Sequence, residues 1–252
     1  MVTTPAVSYT FSSHYSADAS LSIYPYRLVQ NLSPKALPGQ RLMATEGETG
    51  DTLIGVHASF NPSKLWSATT LSFTIPTGNR SDGLGTGQVT FDFSDRLQGY
   101  FKRTGLLVDL GVGNSSGPFN SAVTRDYSSL GPLAHFQAGM VFFLPGRSYI
   151  QFVPYEQLPL GSQTIYDTVG PPGSAPNTSI SSNSSSEDNG VTTSLSVPLN
   201  TCLSISSYYN RSLRHHLDSV SIGVTYVLRS TQGRKRLSLI DKALLEAERA
   251  NP

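Results

Sequence analysis

A single cysteine, Cys202, stands among 252 residues, so the chain can form no internal disulfide and no cysteine-rich metal site. Charge is scarce as well. Only 14% of residues are charged and the formal net charge is +1, which argues against a nucleic-acid partner, since that needs a basic surface. No apolar run approaches the roughly 18–20 residues of a membrane helix, so there is no helical span. The opening segment, MVTTPAVSYTFSSHYS, lacks a basic start, an apolar centre and a cleavage site. The hydrophobic share, 38%, is low for a chain with so few charges. Serine, threonine, glycine and asparagine fill the difference, a composition common in extracellular and membrane β-structures.

What is present is alternation. From Ala6 to Arg229 apolar and polar residues follow one another with a period of two, the mark of strands with two unlike faces. Eleven strands are expected: Ala6–Ser12, Ala17–Val29, Asp51–Phe60, Ser67–Ile75, Gln88–Ser94, Gln98–Gly113, Pro132–Leu144, Arg147–Gln157, Val191–Pro198, Thr201–Asn210 and Leu217–Leu228. One parity is apolar, as in Leu106, Val108, Leu110 and Val112, or Val220, Ile222, Val224 and Tyr226. The other holds Ser, Thr, Gly, Gln, Asp and His. One face wants an apolar medium; the other wants water or hydrogen-bonding neighbours.

The connections alternate too. Short gaps at Ser13–Ser16, Asn61–Trp66, Asp95–Leu97, Pro145–Gly146 and Leu199–Asn200 interleave with longer ones at Gln30–Gly50, Pro76–Gly87, Asn114–Gly131, Leu158–Gly190 and Arg211–His216. A soluble sandwich has no reason to place its long loops at one end of every strand, whereas outer-membrane barrels do, with tight turns on the periplasmic side. The expected fold is therefore all-β: an antiparallel, up-and-down transmembrane β-barrel spanning residues 1–229. Eleven strands leave the two chain ends on opposite sides, whereas bacterial barrels of this kind close with even numbers. A missing first strand, preceded by a missing signal peptide, would repair both absences, so twelve strands are expected in a full-length protein.

The polar segment Gly170–Gly190 should be an external loop. Residues 230–252 form a basic segment and then a short amphipathic helix, with Leu237, Ile240, Leu244 and Ala247 on one face. It is expected on the periplasmic side, against the membrane surface or the barrel mouth; the cluster Arg229, Arg234, Lys235 and Arg236 suits anionic headgroups.

Nothing in the sequence carries a catalytic signature. In LSFTIPTGNRSDGLGTGQVTFDF, Leu71–Phe93, the glycines Gly78, Gly83, Gly85 and Gly87 lead to Gln88 and another strand. A phosphate loop needs Lys and Ser or Thr there, followed by a helix. The glycines turn a hairpin. The histidines His14, His57, His135, His215 and His216 show no metal-ligand spacing, and no cofactor, metal or enzymatic activity is expected.

The same hairpin resembles a bacterial outer-membrane family labelled putative phenol-degradation meta-pathway proteins, described as transporters. The likeness rests on Ile75–Gly78, where Pro76, Thr77 and Gly78 close one strand, and on Gly83, Gly85 and Gly87 ahead of the next. The family's leucine is Ile75 here, and the basic tail replaces a terminal aromatic residue. The resemblance implies an outer-membrane barrel passing small, often hydrophobic or aromatic, solutes; it brings no catalytic residues. Its partners would be outer-membrane lipid and a small-molecule solute. With the apolar parity toward lipid, His57, Ser59, Thr70, Ser72, Gln88, Thr90, Asp92, Gln137 and Gln151 are expected to line the lumen. Tyr24, Tyr26, Trp66, Tyr100, Tyr149, Tyr155, Tyr208 and Tyr209 suit an interfacial girdle. A closed surface barrel with structural or adhesive work, and a soluble binding sandwich, are the alternatives.

Overall fold

A computed structural model describes residues 3–30, 42–61, 65–78, 84–85, 87–101, 103–115, 127–167, 178–181, 187–200, 202–214, 216 and 218–226. The described chain is all-β and antiparallel, with every strand in one sheet. Chain order gives β1 (Ala6–Thr10), β2 (Tyr15–Gln30), β3 (Leu42–Phe60), β4 (Leu65–Ile75), β5 (Thr90–Phe101), β6 (Thr104–Ser115) and β7 (Tyr127–Phe143). Next come β8 (Tyr149–Pro159), β9 (Gln163–Asp167), β10 (Thr178–Ser181), β11 (Asp188–Pro198), β12 (Leu203–Ser212) and β13 (Asp218–Tyr226). The spatial path is β1-β2-β3-β4-β5-β6-β7-β8-β11-β12-β13, a meander in chain order. β9 pairs with β7 beyond the end of β8, and β10 pairs with β9. Among the described residues β1 is paired only with β2, and β13 only with β12.

The eleven expected strands are the eleven of this path, with some boundaries moved. The expected break at Asp95–Leu97 is absent. Those residues lie inside β5, and the turn falls beyond Phe101, where Thr104 pairs back to Phe101. The sequence reads as a break because Asp95 and Arg96 interrupt the apolar rhythm, yet the two side chains belong to opposite faces. Asp95 accepts hydrogen bonds from Ser67 (3.1 Å) and Thr69 (3.0 Å) of β4. Arg96 pairs with Asp109 of β6, Nε to Oδ2, at 2.7 Å. With both charges accommodated, the ladder runs on.

Two expected loops are partly strand. β2 and β3 extend together as far as Gln30 and Leu42, after a register shift between Leu21 and Ile23. Between Leu158 and Gly190, β9 and β10 lengthen the β7 hairpin. The expected helix of residues 230–252 lies outside the described residues.

The distribution of polarity inverts that of a water-soluble fold. Along β6, Leu106, Val108, Leu110 and Val112 are 37–54% exposed, whereas Asp109 is 5% and Ser115 is 1% exposed. The same face of β5, β7 and β8 exposes Phe91, Phe93, Phe136, Met140, Phe142 and Phe152. On the other face Thr90, Asp92, Gln98, His135, Gln157, Ser194 and Asn210 are buried. Among the described residues no second sheet or α-helix covers that polar face.

Candidate functional site: the polar face of the sheet

The polar face is a sequence of cross-strand pairs. Asp92 of β5 meets His135 of β7, Oδ1 to Nε2, at 2.8 Å, with both side chains buried. The strands are not neighbours; β6 lies between, and Gly111 occupies the crossing point. A Cβ at Gly111 would collide with the His135 ring. The absent side chain is what lets the two partners reach each other. Gly190 works alike on β11: Tyr155 of β8 leans over it, and Asn210 of β12 donates from Nδ2 to the Tyr155 hydroxyl at 3.4 Å. Asp188 accepts from Ser212 Oγ at 2.6 Å and from the Tyr155 hydroxyl at 3.2 Å. Each buried carboxylate has its donors, as a charge taken out of water requires.

Farther along the sheet, His57 of β3 bonds Asp18 of β2 through Nε2 and Thr70 of β4 through Nδ1, the latter at 3.0 Å. Carboxylate, imidazole and hydroxyl in series have the order of a nucleophilic relay. Acyl transfer also needs donors aimed at the developing oxyanion. Here Thr70 sits in ladders on both sides, paired with His57 and Ser94, so the strand N–H groups serve the sheet. The geometry is that of a cross-strand polar clip.

Of the expected lumen residues, His57, Ser59, Thr70, Ser72, Thr90, Asp92, Gln137 and Gln151 share this face. Registers relate them: His57 opposes Thr70, Ser72 opposes Asp92, and Gln137 opposes Asp109. Gln151 Oε1 accepts from Ser194 Oγ at 3.3 Å. Gln88 is not among them; it is exposed and precedes β5, which begins at Thr90. The sequence reading missed His135, Asp109, Asp188 and Asn210. His135 could have been found from its parity with Gln137.

The aromatic girdle is corrected as well. Tyr26 and Tyr209 are exposed, but Tyr155 is buried on the polar face. Tyr100 and Tyr149 pack against the cluster Leu107, Val141, Phe143 and Val153. Tyr100 and Phe143 stand 5.6 Å apart between ring centres, and the Tyr100 hydroxyl donates to Gln98 Oε1 at 2.8 Å. Leu107, Val141, Phe143 and Val153 share the parity of the polar residues, so this end of the polar face carries an apolar patch. A place near a strand end suits a girdle only where parity also turns the ring outward.

The glycine hairpin is a clasp. The Thr77 hydroxyl accepts from the Thr52 amide at 2.9 Å and donates to the Gly50 carbonyl at 3.2 Å. The Gly78 amide donates to Asp51 Oδ1 at 2.9 Å. Gly85 approaches the same carboxylate too closely to carry a Cβ. An aspartate fills the position an anion would take, so the loop binds the top of β3. Gly83 lies outside the described residues, and Pro76 and Gly87 are described without a clasp bond.

No protein-family model matches the chain, and no curated protein does.

Proposed function

We propose that the chain is a β-barrel of the bacterial outer membrane, a channel or transporter for small hydrophobic or aromatic solutes. The observation that carries this reading is the inversion of polarity, with the apolar parity exposed and the polar parity buried. Each large apolar side chain left in water forgoes about 1.5–3 kcal/mol. An exposed apolar face spread across the whole sheet needs a nonpolar medium to cover it. Hydrocarbon fits: a strand sheet satisfies its backbone bonds internally, and closure removes its edges. β1 and β13 run in the same direction, so one further strand between them would complete an antiparallel twelve-stranded ring. The Pro76-Thr77-Gly78 hairpin and its resemblance to the phenol-degradation meta-pathway family supply the solute class. On the polar face Arg96 neutralises Asp109, and His135 holds Asp92 in a hydrogen bond, so both carboxylates are engaged by the protein, which suits neutral solutes better than ions.

The test is reconstitution of the protein in liposomes, after heat-dependent gel migration has checked for a closed barrel. Uptake of a small neutral aromatic compound faster than of a charged analogue is expected. Heat-independent migration from a water-soluble protein would overturn the reading.

A second reading, a barrel closed inside, is favoured by the apolar patch of Leu107, Val141, Phe143 and Val153 under Tyr100 and Tyr149. In that case solute uptake is absent from the parent liposomes and rises in Phe143→Ala. In an open channel Phe143→Ala changes little.

A further inference from the structure

The exposed apolar face is a band that crosses the ladder at a slant. One rung joins Thr104 of β6 to Ile222 of β13 through Phe142, Ile150, Leu195 and Ser207. On β6 the exposed apolar run is Leu106–Val112, which begins two residues outward of that rung, toward the longer loops. On β13 the run is Val220–Tyr226, and its inner end lies four residues inward of the same rung. The two runs are equal in length and displaced by six residues across five strand spacings.

Polar residues of the same parity follow the slant. Asp218 and Arg211 cap the runs of β13 and β12, Asn189 and Glu156 stand two residues farther out on β11 and β8, and Asn114 closes the run of β6. Measured from the rung of Thr104 and Ile222, Asp218 is four residues outward and Asn114 ten, so the outer border moves by the same six residues as the inner one. Two departures stand. Leu158 and Leu160 lie outside the border on β8, and Asp95 lies within the band, where Ser67 and Thr69 donate to it.

A displacement of about 20 Å along the strands, across about 24 Å of sheet, is a slope of about 40°. Strands of transmembrane barrels tilt by about 35–45°, so a flat bilayer cuts their ladder obliquely. From Thr104 to Asn114 the strand spans about 34 Å, which at that tilt is about 26 Å of depth, near the roughly 25 Å apolar belt of such barrels.

We propose that a bilayer meets the sheet along this slanted band, with the strands tilted about 40° from its normal. Asp218, Arg211, Asn189, Glu156 and Asn114 then stand at the outer headgroup level. The proposal rests on the outer-membrane reading and adds a depth to each residue: residues of one rung lie at different depths. Tyr209, just inside the border, turns its hydroxyl outward to Asp218 Oδ1 at 2.7 Å, as an interfacial tyrosine does.

The experiment uses the protein in phosphatidylcholine bilayers, with bimane on single cysteines introduced as Thr104→Cys, Leu110→Cys, Leu213→Cys and Ile222→Cys in a Cys202→Ser background. Leu110 and Leu213 share a rung, as do Thr104 and Ile222. Lipids carrying a nitroxide near the headgroup or near the chain end serve as quenchers. The probes at Leu110 and Ile222 should be quenched more by the chain-end nitroxide, and those at Thr104 and Leu213 more by the headgroup-side one. The expected difference within each rung is about 10 Å of depth. Equal depth within each rung would overturn the proposal and leave the outer-membrane reading standing. Absence of quenching by either lipid at all four sites would overturn both.

Discussion

Gly111 decides whether Asp92 and His135 can meet. Any side chain there strikes the imidazole, and the cost is that of overpacking plus a lost buried bond. Gly111→Val is expected to destabilise the protein by about 1–3 kcal/mol, read as a lower urea midpoint. Asp92→Ala removes the hydrogen-bond partner of His135 Nε2, and a loss of about 1–3 kcal/mol is expected in the same assay. Because the two changes act on one pair, their effects should fall short of additive in the double variant. Such residues are hard to find in a sequence. Parity marks His135 as polar-face, but a contact reaching over β6 depends on the glycine between, and GVG at Gly111–Gly113 reads equally well as loose strand or turn. Gln88 illustrates the opposite error: it fits the alternation, but stands just ahead of the first ladder rung.

The elements were largely legible because period-two alternation is a local signal. Every strand of the spatial path was expected, and the short connections after β1, β3, β7 and β11 lie close to where tight turns occur. The expected break at Asp95–Leu97 falls where Asp95 and Arg96 stand side by side. Its resolution needed Ser67, Thr69 and Asp109, all distant in sequence. The arms of β2 with β3, and β9 with β10, were hidden in segments of mixed polarity, where cross-strand pairing rather than alternation makes the strand. At this scale the clasp gives a test. Thr77→Val removes the acceptor of the Thr52 amide, so exchange of that amide should quicken markedly. Global stability should fall by only about 1 kcal/mol. Unchanged exchange at Thr52 would mean that Thr77 does not hold the hairpin to β3.

For the whole molecule, one sheet has no partner layer among its described residues, and its exposed face is the apolar one. The exposures of Val220, Ile222, Val224 and Tyr226, 65–76%, exceed those along β6, as suits a strand that among the described residues has a neighbour on one side only. Cover for that edge should therefore protect β13 more than any inner strand. The single antiparallel sheet, with its strands in chain order, was readable from alternation; curvature was not, since it depends on contacts between strands far apart in the chain. The most direct measurement places a nitroxide in turn at each residue from Leu106 to Val112, in a Cys202→Ser background. Collision rates with oxygen and with a nickel chelate would then be recorded in bilayers. Oxygen access is expected to peak at Leu106, Val108, Leu110 and Val112 and to dip at Leu107, Asp109 and Gly111, with the chelate excluded from the four peaks. A flat profile, or free chelate access at Leu106, Val108 and Leu110, would contradict an apolar face turned to lipid.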